Sequence, residues 1–89
     1  MTMKQAAQAA LDVQYACNLS GVLSTFKQIV SETLWPEANR LGEGTKWINR
    51  HPICTMFLLK MGELNGCTST LESAYEPAEA ECKRLAEGD

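Results

Sequence analysis

Residues 11–33, LDVQYACNLSGVLSTFKQIVSET, place Leu11, Tyr15, Leu19, Val22, Phe26, Ile29, Val30 and Thr33 at spacings of three and four. At about 100° per residue such spacings gather side chains on one helical face. The segment therefore predicts an amphipathic helix, and no strand, through the first half of the chain. Toward the N-terminus, Ala6, Ala7, Ala9 and Ala10 favour helix and Thr2 is placed to cap it. Gly21 falls opposite the stripe, as a kink or a point where another backbone approaches. Toward the C-terminus, Pro36 removes a backbone donor and crowds the carbonyl four residues back. A kink is expected there, with the helix continuing to a left-handed stop at Gly42.

Beyond Gly44 the chain reads GTKWINRHP, residues 44–52. Thr45 suits the cap of a single turn from Lys46 to Arg50. Pro52 suits the first position of a new helix with His51 as its cap. That helix carries Ile53, Met56, Phe57, Met61 and Leu64 inward and closes at Asn65-Gly66. A capping box, Ser69-Thr70-Leu71-Glu72, opens a last helix. Its inner face is Leu71, Tyr75, Ala78, Cys82 and Leu85, and Pro77 kinks or divides it. The expected fold is all-α: one domain over residues 1–89, a small bundle of three to four helices with a long N-terminal helix and kinks near Pro36 and Pro77.

Eighty-nine residues bury a limited fraction of their surface, so self-association into a homo-oligomer is the natural way to add core. A net charge of −3 is too weak for a mimic of DNA and offers no basic stripe for duplex nucleic acid. Nothing approaches a membrane-spanning run or a charged-then-apolar leader, which implies a cytoplasmic location without membrane contact. Cys17, Cys54, Cys67 and Cys82 are then reduced thiols. No C-x-x-C pair occurs and the chain has one histidine, so neither a metal site nor a cofactor is implied.

No nucleophile elbow, phosphate loop, dinucleotide fingerprint or zinc-protease motif is present, so no catalytic residue is assigned and a non-enzyme is expected. Cys54 lies three residues after His51 at a helix start, where a thiol can be activated; the plainer reading is a core cysteine behind a capping histidine. Lys46, Trp47, Asn49, Arg50 and His51 fall within six positions. Lys46 and Arg50, four apart, share a face of a helical turn, and an indole beside fixed cations suits a base with its phosphate. The helix start before Ile53 offers backbone donors to the same anion. The alternative is structural, with Trp47 and Ile48 plugging the end of the bundle. Asp12 falls inside the apolar stripe, with Tyr15 beside it and Asn18 at its edge. That grouping reads either as a polar ligand pocket or as a satisfied structural network. Trp35 points away from the stripe and marks an interface if Pro36 leaves it exposed.

DVQYACNLSGV, residues 12–22, and GTKWINRHP, residues 44–52, together resemble small uncharacterised helical proteins of phages and other mobile elements. The resemblance implies an accessory role. Such proteins include inhibitors of bacterial immunity, some of them oligomeric sponges for nucleotide signals and others binders of an effector protein. Two functions are therefore expected. One is a non-enzymatic oligomer that sequesters a nucleotide-like anion through Asp12, Tyr15, Asn18, Lys46, Trp47, Asn49, Arg50 and His51. The other is a protein–protein inhibitor or adaptor using Trp35 and the acidic C-terminal helix.

Overall fold

Thr2 caps the first helix by the expected chemistry: its hydroxyl accepts from the Gln5 amide at 3.1 Å, and the Gln5 side chain accepts from the Thr2 amide at 2.9 Å. The computed structural model describes residues 1–66 and 72–88. These form α1 (Met3–Val13), α2 (Leu19–Ile29), a π-helical turn (Val30–Leu34), α3 (Trp35–Leu41), the short α4 (Thr45–Arg50), α5 (Pro52–Leu64) and α6 (Glu72–Glu87), with no strand among the described residues. The molecule is an all-α bundle. Its radius of gyration, 12.4 Å, matches the roughly 12 Å of a single compact domain of this length. No helix among the described residues is long and apolar enough to cross a membrane.

The long N-terminal helix is divided. Helix α1 ends at Val13, and Asn18 restarts the chain by accepting the Gly21 amide on its side-chain oxygen at 3.3 Å. The break lets α1 fold back onto α5 and α6 instead of extending along α2. Ala6, Ala7 and Ala10 have no exposed surface. The alanines that favour helix thus also form its packing face, where small side chains let neighbouring helices approach closely.

From residue 19 to residue 41 the rod is continuous. Pro36 neither stops it nor stands alone as the distortion: the irregularity lies one turn earlier, at the π turn. There the Trp35 amide bonds the Val30 carbonyl five residues back, so the ladder widens before the proline ring arrives. The same turn brings Thr33 and Leu34 inward, and the Thr33 hydroxyl donates to the Met1 carbonyl at 2.9 Å. Gly42 ends the rod with φ 73°, and the Glu43 amide reaches the Ala38 carbonyl at 3.1 Å.

Helix α5 supplies the centre of the core through Ile53, Cys54, Met56 and Phe57, with the Phe57 ring stacked on Phe26 at 5.2 Å. Helix α6 turns Tyr75, Ala78 and Cys82 inward and runs unbroken through the exposed Pro77. The capping box at Ser69-Thr70-Leu71-Glu72 and the thiol of Cys67 lie outside the described residues, apart from the helical start at Glu72.

Candidate functional site

Glycines set the position of α4. Gly42 and Gly44 both take positive φ, 73° and 64°, and reverse the chain between α3 and α4. The turn Thr45–Arg50 then packs against α3 and α5, with Ile48 buried and Trp47 half-buried. His51 leaves the turn in an extended conformation and caps α5, its Nδ1 accepting the Ile53 amide at 3.2 Å. The Trp47 ring lies against His51, centroids 4.9 Å apart and planes inclined at 56°.

Lys46, Trp47 and Arg50 line one groove of about 270 Å³, joined by Glu43 from the preceding loop. Glu43 was missed in the sequence because it lies in the loop before α4, and the turn at Gly44, not a helical face, brings it to the groove. Asn49 is exposed and does not line the groove; His51 sits behind Trp47 as its support. Arg40, Lys60, Lys83 and Arg84 each face a carboxylate of their own helix. Lys46 and Arg50 have no such partner among the described residues, and they are the two unpaired cations that share a groove. The start of α5 is not an open anion site as expected, because Pro52 has no amide proton and His51 already occupies the Ile53 amide.

The second expected cluster is dispersed. With the helix broken after Val13, Asp12 turns to the surface and accepts from the Gln8 side chain at 3.1 Å. Tyr15 is 79% exposed, and Asn18 is engaged as the cap of α2. Asp12 and Asn18 do border a groove of about 360 Å³ between α1 and α2, floored by Val13, Val22 and Phe57, but Tyr15 stands outside it. Asp12 is therefore not the buried acid that its place in the stripe suggested.

The polar network of the interior is elsewhere. Lys60, 5% exposed, donates to the Gln14 carbonyl at 3.0 Å and to Glu63 at 3.3 Å. The Tyr75 hydroxyl donates to the other Glu63 oxygen at 2.9 Å. Burial, and then this bond to Glu63, push the Tyr75 phenol up to about 12. The Gln14 amide donates to the Leu11 carbonyl at 3.1 Å and to Glu79 at 2.8 Å. Gln14 and then Lys83 hold the Glu79 carboxyl below the usual carboxylate range. The network fastens the C-terminal end of α1. Its sequence signal was Lys60, seven residues after Ile53 and three after Phe57 on the apolar face of α5.

Cys54 has the setting of a core thiol. It is buried, burial raises its pKa, and burial lowers that of His51, whose Nδ1 already accepts a hydrogen bond from the Ile53 amide. An activated thiolate needs the opposite environment. No family model, curated protein or solved structure matches the chain.

Proposed function

We propose that this protein is a non-enzymatic binder of a small nucleotide-like anion at the α4 groove. The observation that carries the reading is the pair of unpartnered cations, Lys46 and Arg50, flanking the half-buried Trp47. The guanidinium and ammonium hold phosphate, the indole receives the base, and Glu43 accepts a hydrogen bond from an amino or hydroxyl group of the ligand. The groove, about 270 Å³, falls just under the roughly 300–1,000 Å³ of drug-sized ligand pockets, which matches a mononucleotide. Sequestration needs affinity alone, so no catalytic group is required at the groove. Self-association belongs to the same proposal, supported by exposed Tyr15, Trp35, Leu41 and Leu58 on so short a chain.

Calorimetric titration with AMP tests the reading. Saturable binding is expected, weakened about tenfold or more in Arg50→Ala and in Trp47→Ala proteins that keep their helical signal. Absence of heat in the native protein overturns it. A second reading, a protein–protein adaptor, is favoured by Trp35, which is 42% exposed. The acidic helix adds less to it than expected, since Glu79 and Glu81 of α6 pair with Lys83 and Arg84 of the same helix.

A further inference from the structure

Arg50 is a wall of two depressions, not one. Beyond the α4 groove it borders a second hollow of about 240 Å³, formed with Pro52 and Thr55 of α5 and Pro77, Ala78 and Glu81 of α6. The two hollows differ in chemistry. The first offers an indole and two cations. The second offers two prolyl rings and an alanine, with a single carboxylate, Glu81, which Arg84 already neutralises. The continuity of α6 through Pro77 is what presents that ring to the hollow.

Resting on the reading of the α4 groove as a nucleotide site, we infer that the ligand is a dinucleotide, two nucleosides joined through one phosphodiester centred on Arg50. A guanidinium shared by a hollow with an indole wall and a hollow with two prolyl walls matches a ligand with its anion in the middle and a flat group on either side. One base stacks on Trp47. The other lies on the Pro52 and Pro77 rings, with Glu81 placed to accept from an exocyclic amine. The roughly 270 Å³ of the first hollow accommodates only one nucleoside, so the second hollow is where the remainder goes.

The test compares AMP with adenylyl-3′,5′-adenosine on the intact protein by calorimetry. AMP carries the larger phosphate charge, so charge alone ranks AMP first. The inference predicts the reverse, with the dinucleotide about tenfold tighter through the second stacked base. Thr55→Phe, which fills the second hollow, and Pro77→Ala, which removes a platform while favouring helix, are expected to bring the dinucleotide down to the AMP affinity and leave AMP binding unchanged. Pro77→Ala decides the matter if Thr55→Phe does not fold. Equal or weaker dinucleotide binding, or an advantage that survives Pro77→Ala, overturns the inference while leaving the mononucleotide reading intact. Failure of both ligands to bind overturns both.

Discussion

Lys60 is the residue whose environment departs furthest from its type. An ammonium that is 5% exposed requires partners, and the Gln14 carbonyl and Glu63 provide them. The Gln14 carbonyl belongs to the last turn of α1, where unpaired carbonyls and the helix dipole favour a cation. Substituting Lys60→Met preserves the packing of the stem but leaves that carbonyl without its donor. Urea unfolding should show a loss of about 1–2 kcal/mol, since Glu63 keeps its bond to Tyr75 and remains half-exposed. An unchanged or higher midpoint would mean that Lys60 does not fasten α1. Asp12 is the converse case. Its wheel position placed it among apolar residues, yet it is exposed, because the wheel assumed a continuous helix that ends one residue later. A single side chain's position on a stripe is only as sound as the helix that carries it.

At the scale of elements, most helices were legible because their signals are local. Thr2, Gly42, His51 with Pro52, and Asn65-Gly66 end or begin helices where their own chemistry requires it. The break at Gln14–Asn18 was missed because residues on both sides keep helical spacing; Asn18, which caps α2, was its local signal, and tertiary contacts hold the end of α1. Gln14 bonds Glu79 on α6 and its carbonyl takes the Lys60 ammonium, contacts spanning 65 and 46 residues. The π turn was hidden similarly: Pro36 announced a distortion, but the widened ladder precedes it. The cap of α5 gives a prediction at this scale. Burial lowers the His51 pKa below its ordinary 6.5, and the neutral ring is the form that accepts the Ile53 amide. The stabilisation is therefore complete above pH 6.5 and is lost as pH falls through the depressed folded value. The urea midpoint should drop between pH 7 and pH 5 more steeply in the native protein than in His51→Asn, which keeps an acceptor but does not titrate. Equal slopes would show that His51 does not carry the cap through its neutral form.

Over the whole molecule, the division of the first helix decides which expected site residues meet. It leaves Asp12 and Tyr15 exposed and apart, with only Asp12 on the groove between α1 and α2, while Lys46, Trp47 and Arg50 gather at α4. Lys46, Trp47 and Arg50 meet as expected because they lie within one short helix. Asp12, Tyr15 and Asn18 required α1 and α2 to stay joined, and they do not. In the proposed function, the α4 groove binds a nucleotide through Trp47 and Arg50. The chain has two tryptophans, so a Trp35→Phe protein reports emission from Trp47 alone. Titrating that protein with AMP tests the claim most directly. Saturable quenching of Trp47, abolished by adding Arg50→Ala, is the predicted result. Emission that stays constant to millimolar AMP, or quenching that persists without Arg50, would contradict it.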